Sequence, residues 1–215
     1  MSEEKMTGRI EAFSDGVFAV AITLLVLDIK VPPFQPTNPA FSLSHELFAE
    51  WPAYLAFVMS FLTVLIMWIN HHRIFGLIDR TDDRFMILNG LLLLCVTVVP
   101  FSTSLLAAYI RLPDARTATL VYAGTCFLMA LCFNGLWRYA SREGRLLADD
   151  HDPTVAKGIS KSYRFGPYCY LIVFGLAFVN VAAAVGLSLL LALFFTIPPR
   201  KHAELAERSQ SVSRK

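Results

Sequence analysis

The feature that most constrains this chain is a series of uncharged runs at residues 51–70, 85–110, 117–137 and 165–199, with the charges confined between them. A helix of about 20 apolar residues crosses a hydrocarbon core of about 30 Å, so each run is long enough to span a membrane. The last run holds 35 residues. As one straight helix it would be about 52 Å long, so it reads as a hairpin turning near Asn180, with short helices at 163–179 and 181–197. With 55% hydrophobic and 17% charged residues, the chain has the composition of a membrane protein.

The segment RIEAFSDGVFAVAITLLVLDIKVPP, residues 9–33, fits this scheme least well. Asp15 and Asp28 bracket an uncharged stretch of 12 residues, 16–27, which is about 18 Å as a helix and too short to face lipid. Counting it as a span gives an all-α integral membrane protein with six transmembrane helices, at about 8–30, 51–73, 84–110, 116–140, 163–179 and 181–197, and a polar tail at 201–215. The N-terminus is short and mixed in charge, and no small-residue cleavage site follows an apolar core, so no cleavable signal is expected.

Orientation follows from the basic residues. With the N-terminus cytoplasmic, 16 of the 19 Lys and Arg residues fall on that side, and only Lys30, Arg111 and Arg116 on the other. This is a strong positive-inside bias, and it places both termini in the cytoplasm. The net charge of +2 is thereby a matter of topology and gives no reason to expect nucleic acid. The four cysteines, Cys95, Cys126, Cys132 and Cys169, lie inside apolar runs without CxxC spacing and read as core thiols.

A carboxylate at membrane depth is costly, so Asp15 needs polar partners and an interior position. Candidates are Ser14, Arg9 and the cluster Asn70, His71, His72 and Arg73 at the same depth on the second span. The two histidines point about 100° apart on a helix, which does not suit chelation as an i, i+4 pair would. Their remaining readings are interfacial side chains bonded to water and headgroups, or members of a buried polar network. On the first span, Gly16, Val20, Thr23, Leu24, Leu27 and Val31 form one stripe at helical spacing. Such a stripe suits either a pore lining or a helix-packing seam.

The Arg-x-x-x-Phe-Ser-Asp pattern of residues 9–15, followed by GVFAVAITLLVLDIKVP, resembles the signature of the transmembrane protein 175 family of potassium channels. Six spans, the histidine-rich end of the second span and the length of 215 residues resemble its prokaryotic members, which carry one six-helix repeat per chain. The resemblance implies a homotetramer in the cell membrane whose first helices converge on the symmetry axis and line a pore. A helix so enclosed need not meet lipid, which accounts for its short apolar length. The family's hydrophobic constriction falls on Val20, Leu24 and Leu27, and its hydroxyl layer on Thr23. Where the family often carries a larger isoleucine or leucine, this chain has Val20. Arg9, Phe13, Ser14 and Asp15 form the motif network, with Asn70, His71 and His72 as partners on the second helix.

The implied function is passive conduction of potassium ions. No TVGYG-like segment occurs in the sequence, so a carbonyl filter is not available and an apolar neck with a hydroxyl ring takes its place. Asp28, with Glu46 and Glu50, stands at the outer mouth either as a cation-focusing cluster or as idle surface acids. No cofactor and no metal other than the permeant ion is expected. The alternative is a secondary transporter of a small ion or solute, for which a broken helix is diagnostic. Pro100 is the one candidate break, and the following Ser-Thr-Ser hydroxyls favour a simple kink. An enzyme would need more convergent groups than Asp15, His71 and His72 supply. Leu43, Leu47 and Phe48 suggest a short amphipathic helix on the outer surface, and Trp51 and Trp137 read as interfacial anchors.

Overall fold

In the computed structural model, residues 3–33, 41–149 and 152–196 are described; the tail at 201–215 lies outside the described residues. The described chain is helical: α1 (Glu3–Leu24), a 3₁₀ turn (Leu25–Asp28), α2 (Leu43–Ala49), α3 (Trp51–Phe75), α4 (Asp83–Tyr109), α5 (Ala115–Ser141), α6 (Pro153–Tyr163), α7 (Gly166–Val179) and α8 (Val181–Thr196).

Each long uncharged run became a helix whose ends are set by local chemistry. Pro52 occupies the first turn of α3, where its missing N–H costs nothing. Asp82 caps α4 by accepting from Phe85 N at 2.8 Å. Asn180 breaks the last run in extended backbone (φ −149°, ψ 109°), and its Oδ1 caps α8 by accepting from Ala183 N at 3.0 Å. Since α7 and α8 pack against each other, the chain folds back at this residue. Buried Ala123, Val173, Ala177 and Ala184 bring α5, α7 and α8 together, as small residues do between membrane helices.

Among the described residues, five helical segments are long and apolar enough to cross a membrane: Thr7–Asp28, Trp51–Phe75, Asp83–Tyr109, Ala115–Gly144 and Pro153–Val179. Val181–Thr196 is apolar but shorter. The fifth segment joins α6 to α7, and α7 alone has 14 residues, about 21 Å.

Around the bundle, α1 lies against α3 and α4, α4 against α5, α5 against α7, and α8 returns to α3. Pro100 lies inside an otherwise continuous α4. The hydroxyls of Ser102 and Thr103 both donate to Val99 O, at 3.0 and 2.7 Å. They therefore serve a neighbouring carbonyl and not that of Val96, the acceptor that proline leaves without its N–H. Between α3, α4 and α5, Ser60 Oγ and Thr103 Oγ1 are 2.6 Å apart and Ser60 donates to Tyr122 Oη at 3.3 Å, a buried polar contact set in apolar surroundings.

On the basic side, the loops after α3 and α5 are joined. Glu143 (φ 57°) and Gly144 (φ 68°) take left-handed backbone at the end of α5, a conformation glycine accepts without strain. The reversal lets Asp79 N donate to Leu146 O at 3.0 Å and Ala148 N to Leu77 O at 3.0 Å. Arg80 Nη2 adds a forked contact to Asp149 at 3.1 and 2.9 Å, and Tyr139 donates to Asp82 Oδ2 at 2.6 Å. Desolvation alone would raise the Asp82 carboxyl. The hydrogen bonds from Tyr139 and Phe85 N, with Arg145 and Arg84 nearby, outweigh it and hold the group below its ordinary value.

One expectation about anchors is corrected. Trp137 is 1% exposed and donates through Nε1 to Ser160 Oγ of α6 at 2.9 Å, so it is a core residue beneath α6 and not an interfacial anchor. Trp51 is exposed, with the Arg111 guanidinium 5.2 Å over its ring. α2 forms where expected, with Leu43, Leu47 and Phe48 exposed.

Candidate pore helix and its polar anchor

The first helix divides into two faces by burial. Ser14, Phe18, Ala21 and Leu25 are buried at helical spacing, with exposures of 2% or less, and pack into the cluster that holds Val64, Ile74, Phe85 and Leu92. The opposite face is open. Val20 is 58% exposed, Leu24 43% and Leu27 70%, and Gly16 and Thr23 are exposed beside them. The stripe inferred from periodicity is thus the face that a single chain leaves uncovered. The 3₁₀ turn at Leu25–Asp28 has about three residues per turn, which sets Leu27 directly beyond Leu24.

Thr23 is tied to its own helix. Its hydroxyl donates to Val20 O at 2.9 Å, so the proton is engaged and the oxygen keeps only acceptor capacity toward other groups.

The buried face is anchored by a directional hydrogen-bond chain. His71 Nε2 and Asn89 Oδ1 are 3.0 Å apart, Asn89 Nδ2 donates to Ser14 Oγ at 2.9 Å, and Ser14 donates to Ile10 O at 2.8 Å. With Asn89 Oδ1 able only to accept, His71 carries its proton on Nε2. Nδ1 is buried without a hydrogen-bond partner among the described residues. The imidazole lies between rings, stacked on Phe75 at 4.3 Å and tilted against Phe18 at 5.3 Å. This arrangement needs a neutral, shape-filling histidine, and it removes His71 from any metal-binding role with His72. Among the described residues no cluster of three His, Cys, Asp or Glu side chains could hold a metal ion.

The other members of the expected network have different partners. Asp15 is half-buried and accepts from Trp68 Nε1 at 2.9 Å. His72 Nδ1 meets Glu11 Oε1 at 2.9 Å, and its ring stacks on Trp68. Asn70 accepts from Tyr163 Oη at 3.1 Å, which ties α3 to the end of α6. Arg9 and Phe13 are exposed and stand apart from these contacts within one chain. Asp28 is half-buried in the 3₁₀ turn. Sequence reasoning missed Asn89, Trp68 and Glu11. Asn89 did carry a signal, as the lone amide in the run 85–110.

These features define a multi-pass, all-helical membrane protein whose first helix is fixed on one face by buried polar contacts and left bare on the other. The family model described as "Endosomal/lysosomal potassium channel TMEM175" matches residues 9–100. A potassium channel of Chamaesiphon minutus is 52% identical over 195 residues, 91% of this chain and 96% of that one. A potassium channel of Streptomyces collinus is 44% identical over 190 residues, 88% of this chain and 91% of that one. The crystal structure of a lysosomal potassium-selective channel TMEM175 homolog from Chamaesiphon minutus superposes with a TM-score of 0.81 at 49% identity, covering 89% of this chain and 97% of that one. The chain belongs to the TMEM175 family.

Proposed function

We propose that this protein is a passive potassium channel of the cell membrane, an ion channel and not an enzyme, built from four copies around an axis lined by α1. The observation that carries this reading is the bare stripe Gly16, Val20, Thr23, Leu24 and Leu27 on a helix whose opposite face is buried. An uncovered apolar face of this length is a contact surface awaiting copies of itself or a lumen. The similarity to proteins named potassium channels supports the ion.

In this reading the chain crosses the membrane six times, with α8 as the sixth span and both termini cytoplasmic. Val20, Leu24 and Leu27 form stacked apolar rings that close the path by dewetting. The Thr23 oxygens compensate an ion that has shed part of its water. Asp28, with Glu46 and Glu50, raises the cation concentration at the outer mouth. Arg9 and Phe13, bare in one chain, complete the motif network against the neighbouring copy. Without backbone carbonyl rows, discrimination between potassium and sodium is modest.

The test is reconstitution of the purified protein into liposomes or planar bilayers under potassium, sodium and chloride gradients. The expected reversal potential lies near the potassium equilibrium value, with sodium partly permeant. Current that tracks chloride, or solute uptake coupled to an ion gradient without current, would overturn the proposal.

A further inference from the structure

On the basic side, α6 lies across α5 and leaves a cleft of about 380 Å³ lined by Asn134, Trp137, Arg138, Ser160, Lys161 and Arg164. A second recess shares Arg138 and Ser160 and adds Tyr139 and Arg142. The cleft has a fixed floor. Trp137 donates to Ser160, Asn134 donates to Tyr163 O, and Ser160 donates to Ala156 O at 2.8 Å. The Trp137, Ser160 and Asn134 donors of the floor are thereby engaged, which leaves the cations of the rim as the donors open to a ligand.

Three of those cations converge with no described anion between them. Arg142 has Glu143 at 3.8 Å, and the Arg164 guanidinium lies 5.3 Å over the Phe165 ring. No described carboxylate is within ion-pair distance of Arg138, Lys161 or Arg164. Basic residues on this side follow from topology alone. Three of them around one open cleft, each without a described carboxylate, form a receptor for an anion, and arginine suits the forked geometry of phosphate.

The surroundings give the anion its source. Leu131 and Leu128 stand one and two turns before Asn134 on α5, and Tyr168 and Ile172 one and two turns beyond Arg164, all exposed. An apolar lane therefore runs from the cleft toward the membrane interior. We infer that the cleft between α5 and α6 binds the phosphate headgroup of an anionic glycerophospholipid of the inner leaflet, held by Arg138, Lys161 and Arg164, with its acyl chains along α5 and α7. Basic pockets between helices on the cytoplasmic side are suited to such headgroups. The inference depends on the cytoplasmic placement of this end and not on which ion the protein conducts.

The experiment is native mass spectrometry of the delipidated full-length protein, titrated with dioleoylphosphatidylglycerol or dioleoylphosphatidylcholine. Phosphatidylglycerol should be retained in preference. Arg138→Gln with Arg164→Gln should lower its retention by about fivefold for each cation removed. Arg111→Gln with Arg116→Gln, which removes the same charge from the opposite end, should leave retention unchanged, and Arg138→Lys with Arg164→Lys should preserve most of it. Should the glutamine pair fold poorly, Lys161→Gln, at an exposed position, repeats the test one charge at a time. Equal retention of the two lipids, or equal losses in the cleft and control variants, would overturn the inference. Displacement of the lipid by inorganic phosphate would do so too, because the cleft would then be a site for a soluble anion.

Discussion

Asn89 is the residue on which the anchor of α1 turns, since its amide satisfies Ser14 on one side and His71 on the other. Asn89→Leu keeps the volume but strands the His71 donor in an apolar site. The expected loss is about 1–3 kcal/mol of stability, seen as a lowered melting temperature in detergent. Asp15→Ala should cost less, near the lower end of that range, because Asp15 is half-buried and water can replace it beside Trp68. A reversed order of the two variants would show that Asp15 and not Asn89 bears the anchor. The motif residues were legible because they stand together on one helix, and a carboxylate at that depth demands a partner. Asn89 and Trp68 could not be singled out as their partners: the lone amide marks Asn89 as unusual, but its meeting with Ser14, like that of Trp68 with Asp15, is set by packing across 75 and 53 residues. No local pattern encodes such contacts, which depend on how α3 and α4 are rotated about their axes.

At the scale of the element, the bare stripe of α1 separates a pore from a packing seam. Leu27→Asn places a ring of amides at the neck if the stripe faces water, so unitary conductance should rise by severalfold with no gain in selectivity. Against apolar neighbours the same amide would be unmet and the protein would express poorly. Thr23→Ala removes oxygens whose lone pairs are free, and should lower the potassium-to-sodium permeability ratio under bi-ionic conditions while leaving the melting temperature unchanged. Loss of the fold in Thr23→Ala would instead mark Thr23 as a packing residue. The long helices could be read from charge spacing to within a few residues, because uncharged runs of spanning length have one stable form in lipid. Two elements could not. The 3₁₀ turn after Leu24 lies in an apolar run with no adjacent proline, glycine or side-chain cap to mark it. α6 carries lysines among its apolar residues, so no periodic pattern signals its docking over Trp137, which by its place at the end of an apolar run reads as an anchor.

At the scale of the molecule, a single α1 cannot enclose an axial path, so the protein should appear as a tetramer in native mass spectrometry from mild detergent, and crosslinking should yield species up to four chains. Monomers alone under both conditions would contradict it. Subunit number was open to sequence reasoning only through family resemblance, because an exposed stripe specifies that something covers it and not how many copies do. The inner end of α1 is held from several directions: Thr7 donates to Asp79 O at 3.2 Å, Glu11 meets His72, and Ser14 and Asp15 are bonded to α4 and α3. The hold continues outward through Phe18, Ala21 and Leu25, each 2% exposed or less, and the turn Leu25–Asp28 still packs against α3 and α4. Mechanically, α1 is a rail fastened along its inner side from Ser14 to Leu25. A rail so fastened resists bending, so in the proposed pore any change in the width of the neck falls first to the exposed side chains of Val20, Leu24 and Leu27 and only then to the backbone.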